Sequence, residues 1–439
     1  MTDADARLTR NPLSIAGAAL TTVSAVAFLV YVLLETFELL AGQYSGLFGY
    51  LFVPAMFVLG LLLIPLGMWR EGRRRKRGVG PWKWPVIDVG RKRTRQVIAA
   101  VAVLTIVNLG IVGLASVGVV HYTESNQFCG QVCHTPMTPQ FTAHAVSPHA
   151  KVDCVSCHVS PGASGLVTAK LNGTRQLYLL AVNKYERPIP EPLGRIPTAV
   201  NTCARCHVPG RPGRDLTRAV VSYGDDEKNT ESVTSLTMQM TANHWHARAD
   251  VSVEYIASDE KRETIPYIRV MAPGGEVTEY FADGVTEKPA GNLVRMDCID
   301  CHNRPAHTFS ASADRAVDAA IGSGGASRDL PFARREMVAA LKVAYPSHAA
   351  ADAGIAKHLG DFYRATLAAP GPQIEQAIRT TQQLYRQNVF PDMKVTWGTY
   401  VTKLGHVDGP GCFRCHDESH KSRTGKTVRQ DCELCHKVQ

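Results

Sequence analysis

The twelve cysteines of this chain fall into six pairs, and the second cysteine of every pair is followed at once by histidine. Five pairs are C-x-x-C-H: Cys154/Cys157-His158, Cys203/Cys206-His207, Cys298/Cys301-His302, Cys412/Cys415-His416 and Cys432/Cys435-His436. The remaining pair, Cys129/Cys133-His134, is one residue wider. Two thiols at this spacing can add across the two vinyl groups of one porphyrin, and the adjacent imidazole then falls under the iron as an axial ligand. A zinc site would need cysteine pairs converging in fours and no histidine after each. A redox dithiol occurs singly. No thiol is left for a disulfide. The pattern therefore reads as about six covalent haems c, with His134, His158, His207, His302, His416 and His436 as proximal ligands, in a protein that moves electrons. At the wider first pair the loop must bulge to bring both sulfurs to the vinyls.

A low-spin electron-transfer haem takes a second strong-field ligand, and ten histidines lie outside the motifs. His244 and His246 flank Trp245, so on an extended segment they would point the same way. His406 precedes one motif and His420 follows it, both in loops able to reach iron. His307 follows His302 after an Asn-Arg-Pro turn, and His144 and His149 precede Cys154 in a Pro-containing loop. These seven are the distal candidates, with Met137 as a thioether candidate for the first haem. His348 and His358 lie in a helical block and read as hydrogen-bonded or exposed. His121 could ligate a haem, take a proton or anchor the chain at an interface.

The elements that must position these groups divide near residue 121. Residues 1–120 hold three apolar stretches and no cysteine: about 13–34, 47–68 and 97–120. Each has roughly the twenty residues needed to cross a bilayer as a helix. Between the second and third, residues 70–95 carry eleven Lys and Arg against Glu71 and Asp88, a net +9 equal to that of the whole chain. By the positive-inside rule this loop is cytoplasmic. The N-terminus is then cytoplasmic, and everything after His121 lies in the periplasm, on the outer face of a bacterial inner membrane where haem is attached. The basic run is thus a topology signal that touches lipid headgroups, not a nucleic-acid site.

Beyond the anchor the expected fold is mostly helix and coil around the haems, with a small β-rich insertion. A three-haem module spans 121–214, with a helix over Ala163–Tyr185. Residues 215–297 form the insertion, carried by the β-branched runs Val251–Ile256, Tyr267–Met271 and Val277–Phe281. A second three-haem module spans 298–439, with a helical segment at 311–400 broken at Pro331, Pro346 and Pro370-Gly371-Pro372.

The order of anchor, Phe128-Cys129-Gly-Gln-Val-Cys133-His134-Thr-Pro-Met137 and Ser147-Pro-His149-Ala-Lys-Val-Asp-Cys154-Val-Ser-Cys157-His158 resembles the NapC/NirT family of quinol-oxidising cytochromes. The likeness is strict over about 97–210, and the later motifs resemble longer multihaem members. The resemblance implies that the haem nearest the membrane takes electrons from quinol or menaquinol and that a periplasmic cytochrome or reductase receives them. Some members bind the first iron through a methionine shortly after the motif, a position held here by Met137, one residue further on than usual. Family quinol sites use a lysine after the second motif, matched by Lys170, and an acid beyond it, where this chain has Gln176. The family anchor is usually one helix, and this chain has three apolar stretches. Glu35 and Glu38, three apart at the outward end of the first, share one helix face and are further candidates for receiving protons.

Three readings follow. The leading one is a membrane-bound quinol dehydrogenase passing electrons through about six haems, with Lys170, Glu35, Glu38 and His121 at the quinol site. The alternatives are a terminal reductase of a small oxyanion or sulfur compound, and a non-catalytic conduit within a larger membrane complex whose other subunits dock on the extra helices.

Overall fold

A computed structural model describes residues 11–36, 52–78, 89–96, 98–100, 103, 118, 120–132, 134–192, 196–207, 213–367 and 371–438. The chain divides into two compact units. One comprises Met1–Thr123 with Val159–Gln176, the other Glu124–His158 with Leu177–Gln439. This division cuts across the expected 121–214 block, because the stretch after the second motif belongs with the apolar N-terminal unit.

In the first unit, helix α1 covers Pro12–Thr36 and helix α2 covers Val53–Lys76. Asn11 caps α1: its Oδ1 accepts from Ser14 N at 2.9 Å, and Pro12 sits where a missing N–H costs nothing. Helix α2 starts and ends later than the expected 47–68. Its basic tail from Arg70 to Lys76 stays helical because Arg and Lys are good helix formers.

Small residues let these two helices approach closely. A Cβ on Gly60 would lie 2.4 Å from Thr21 Oγ1 and 2.9 Å from Gly17 O. The Ser14 hydroxyl donates across the pair to Ile64 O at 2.9 Å. Among the described residues one helix, Val53–Lys76, is long and apolar enough to cross a membrane, while the apolar part of α1 described in full, Pro12–Phe28, is shorter. The expected third stretch, 97–120, falls mostly outside the described residues, so the structure describes a two-helix apolar pair rather than the three-helix anchor. Val159–Gln176 supplies most of a further helix, α4 (Gly162–Ala181).

The second unit has two antiparallel sheets and a helical bundle. Strands β3 (Ser252–Ile256), β4 (Tyr267–Met271) and β5 (Val277–Phe281) coincide closely with the three β-branched runs. They sit in a five-stranded sheet of order β6-β3-β4-β5-β7, with β6 at Val294–Arg295 and β7 at Lys421–Ser422. Val253 pairs with Val270 and Tyr255 with Ile268, so one face packs as a small core with Val251 and Ile265. Strands β1 (Leu216–Tyr223), β2 (Glu231–Met238) and β8 (His436–Val438) form the other sheet. The β-rich region is thus not self-contained, since β7 and β8 come from the C-terminal motifs.

Helices α5 (Ala313–Gly322), α6 (Ala333–Leu341), α7 (His348–Thr366) and α8 (Pro372–Asn388) follow the expected breaks at Pro331, Pro346 and Pro372. Ser312 and Ser347 accept from Arg315 N and Ala350 N as N-caps. On α7 the buried positions Ala351, Ile355, Leu359 and Tyr363 recur every four residues and meet Met337, Leu341, Ile374 and Tyr385.

The Gly60 contact gives a direct test. Gly60→Leu is expected to destabilise the helix pair by about 1–3 kcal/mol through overpacking. Thermal unfolding of detergent-solubilised protein should detect it. Gly72→Ala, whose Cβ would meet nothing within 4 Å, should leave the transition in place.

Candidate functional site

Each attachment motif is carried on a short helical turn, which brings cysteines three apart to one side. The turns are Cys154–His158, Cys203–Arg205, Cys298–Cys301, Gly411–Arg414 and Cys432–Leu434. The wider first motif is accommodated by a different geometry. Phe128–Val132 is a π-helical turn, wider than an α-helical one. Gly130 in that turn lies against Phe141 of helix α3 (His134–Ala145): a Cβ there would lie 2.2 Å from the ring. Cys133 and the His134 side chain lie outside the described residues.

Polar caps hold the turns in place. Asn126 Oδ1 accepts from Cys154 N at 2.8 Å. Asp297 accepts from Cys298 N at 2.7 Å and from Ala199 N at 2.8 Å, tying the fourth turn to the segment before the third.

Successive motifs are spatial neighbours. Cys154 and Cys129 are within hydrogen-bonding reach, as are Cys203 and Cys298. Cys157 feels Cys203 and Cys206, Cys301 feels Cys412, and Cys435 feels Cys412. As a free thiol Cys203 is held at about 6, chiefly by its hydrogen bond with Cys298, whereas Cys298 is pushed up. Thioether formation would remove both titrations.

The imidazoles supply the test of whether iron fits. A ring nitrogen lies roughly 1.1 Å from its centroid and binds a transition metal at about 2 Å, so two rings sharing one iron have centroids about 6 Å apart. Five pairs have this spacing. His158 and His307 are 6.1 Å apart, His207 and His149 6.1 Å, His302 and His244 6.3 Å. His416 and His246 are 5.9 Å apart, and His436 and His406 6.1 Å. The first of these pairs lines a partly open pocket together with Cys154 and Cys157, so both thiols and both rings of one site face the same space.

Second partners fix which nitrogen is available. Nδ1 of His149, His307, His244 and His416 donates to the carbonyls of Pro305, Gln140, Met240 and Arg429, at 3.0, 3.1, 2.9 and 2.8 Å. A carbonyl only accepts, so Nδ1 carries the proton and Nε2 keeps the lone pair a metal needs. Burial holds His307 down at about 4 and keeps His158, His246 and His302 below the ordinary value. Neutral imidazoles are the ligating form.

Other candidates are placed differently. His420 is engaged elsewhere in this geometry: Nδ1 faces Asp417 Oδ1 at 2.8 Å and Nε2 faces Ile265 O at 2.6 Å, so both nitrogens already have protein partners. His144 lies 6.2 Å from His307, but its Nε2 bonds Val152 O at 3.0 Å, the reverse of the other rings, while the motif histidine His158 stands at the same spacing. His348 bonds Val389 O and His358 bonds Glu336. Met137 lies half-buried in the first turn of α3, after His134. His121 is exposed and helical. Lys170 is exposed on α4, its Nζ donating to Thr123 Oγ1 at 2.9 Å, and Gln176 is exposed six residues on. Glu35 falls in the last turn of α1, while its side chain and all of Glu38 lie outside the described residues.

The sequence reading missed a buried charged cluster between the fourth and fifth motifs. Asp300, 2% exposed, accepts from Tyr255 Oη at 2.5 Å and Arg262 Nη1 at 3.1 Å. Arg414 donates from Nη2 to Asp300 O at 2.5 Å, from Nη1 to Arg262 O at 2.9 Å and from Nε to Gly411 O at 2.8 Å. Buried Lys403, lowered by burial and by Arg414, donates to Lys261 O at 2.5 Å. The available signal was that Asp300 and Arg414 are the residues just before the second cysteine in their motifs.

The N-terminal region of the NapC/NirT cytochrome c family matches residues 91–189. The chain is also 35% identical over 450 residues to the cytochrome c-type protein ImcH of Geobacter sulfurreducens, an alignment that covers 98% of this chain and 88% of that one. No solved structure matches. Attachment turns, paired imidazoles and these likenesses agree: the chain belongs to the NapC/NirT cytochrome c family, as a multihaem c-type cytochrome of electron transport.

Proposed function

We propose that this cytochrome oxidises quinol at a bacterial inner membrane and passes the electrons through six covalent haems to a periplasmic cytochrome or reductase. The observation that carries the reading is the set of five imidazole pairs at 5.9–6.3 Å, each joining a motif histidine to one from elsewhere in the chain. Bis-histidine sites have no open position, which suits electron transfer rather than binding of a small oxyanion. Haem c supplies reversible one-electron chemistry when bound.

The chain's own residues do the rest. Twelve cysteines anchor the groups, His158, His207, His302, His416 and His436 serve as proximal ligands of the second to sixth sites, and His307, His149, His244, His246 and His406 are their distal ligands. At the first site the ligand is His134 or Met137. The cytoplasmic basic loop at 70–95 sets the orientation, leaving the haem-bearing residues in the periplasm.

Quinol becomes quinone by losing two electrons, taken one at a time, and two protons. Lys170, in the same compact unit as the apolar helices, donates to a quinol oxygen in exchange for its bond to Thr123 and orients the ring. His121, with Glu35 and Glu38, receives the protons and releases them on the periplasmic side.

Intact mass of the purified protein should equal the polypeptide plus six haems, and five or fewer would remove the first site from the scheme. A menaquinol analogue should reduce the membrane-bound protein, and Lys170→Met should slow that reduction about tenfold or more while leaving dithionite-reduced spectra unchanged. Reduction at the wild-type rate would sink the role given to Lys170. His307→Met should convert one site from bis-histidine to histidine/methionine ligation, visible as a sulfur-to-iron charge-transfer band and one raised potential. Turnover of an oxyanion without quinol reduction would favour the terminal-reductase reading.

A further inference from the structure

The fourth and fifth attachment sites are joined on both sides. On one side His244 faces His302 at 6.3 Å and His246 faces His416 at 5.9 Å, so the distal rings of two different sites come from a single three-residue segment. Between them Trp245 sets its ring edge-on to His246 at 5.6 Å and packs into the same apolar cluster as Cys415. On the other side Arg414, lying between Cys412 and Cys415, donates to the carbonyl of Asp300, which lies between Cys298 and Cys301.

The bonds of Arg414 are to carbonyl oxygens: those of Asp300, Arg262 and Gly411. Its side chain is buried, as are those of Lys403 and Asp300. Arg262 is mostly covered and spends its charge on the Asp300 carboxylate, 3.1 Å away. Glu191, paired with Arg304, lies near Lys403, and the charge of Asp417 also reaches Cys415; with these counted, four cations (Arg414, Lys403, Arg262, Arg304) still outnumber three carboxylates (Asp300, Glu191, Asp417) around the sulfurs of Cys301 and Cys415. At low effective dielectric such charges act strongly over a few ångströms. An uncompensated cation is costly to bury, so a packing role alone would be met more cheaply by an apolar side chain.

We propose that Arg414 and Asp300 are positioning residues that lock the fourth and fifth haem sites into one unit, and that the excess buried cation, Arg414 above all, sets its reduction potential above what either site would otherwise have, against the opposing pull of the Asp300 carboxylate. The proposal rests on the ligand pairing given above and extends it. Ferric haem carries one more positive charge than ferrous haem, so the net buried cation favours the reduced state. One electron enters the pair and no proton need move, because the charges that stabilise it are fixed. In sequence order the pair stands after three sites and before one. A raised potential there draws electrons away from the membrane-side sites and discourages their return.

The test uses full-length holoprotein in detergent, titrated potentiometrically while the haem absorbance is followed. Arg414→Met should lower the potential of one or two of the six sites, and Asp300→Asn should raise the same sites. Arg414→Lys, which keeps the charge, should stay near the wild-type titration. Electron paramagnetic resonance of the ferric protein should show unchanged ligation in all three. After mixing with a menaquinol analogue, reduction of the last sites should slow several-fold in Arg414→Met. If Arg414→Met fails to take up its haems, Asp300→Asn against Arg414→Lys still decides the sign. The proposal is overturned if Asp300→Asn leaves the titration unchanged, or if it shifts the potentials downward. Failure of the ligand pairing would be seen separately, as a His244→Met protein without a new sulfur-to-iron charge-transfer band.

Discussion

Two imidazoles face each other across about 6 Å at each of five places, and much of the second unit is arranged around those pairs. Each pair joins residues distant in sequence, such as His307 with His158 and His406 with His436. The backbone around the attachment motifs is accordingly mostly short turns held by side-chain caps. The large apolar core is displaced into the α5–α8 bundle, and a smaller one lies under the five-stranded sheet. A chain built this way leaves much of its interior to be filled by porphyrin. Among the described residues the motif cysteines are only partly covered by protein, and Cys206 and Cys432 are exposed.

The parts of this architecture that were legible in the sequence are those with short-range signatures. Cysteine spacing identified the chemistry, because adding two thiols to one porphyrin fixes the separation. The runs at Val251, Tyr267 and Val277 and the prolines before α6, α7 and α8 placed strands and helices closely, since each is a local property of the backbone. The β1–β2 hairpin escaped notice because its strands are exposed and rich in Ser and Thr, with only a weak apolar alternation.

Distal pairing was less legible, since nothing local tells His406 from His420. One stacks on Phe413 at 4.3 Å and faces His436, while the other is engaged by Asp417 and the Ile265 carbonyl. That choice depends on where strand β7 leads the chain. The Asp300–Arg414 cluster was invisible for the same reason: two ordinary-looking residues become partners only when two turns far apart in sequence are laid side by side. The N-terminal unit follows different physics, with close helix approach at Gly17 and Gly60.

Strand β8 also constrains how the molecule can be made. Its residue His436 pairs in register with Met238 of β2, so the hairpin that receives it is synthesised long before it. While the chain is being synthesised from its N-terminus, that hairpin must stand with one edge unsatisfied until β8 arrives. Exposed edges invite mispairing between neighbouring molecules, and the polar, hydroxyl-rich sequence of β2 limits the hazard. Maturation of this cytochrome is therefore a race between capture of its own late strand and capture of another chain's.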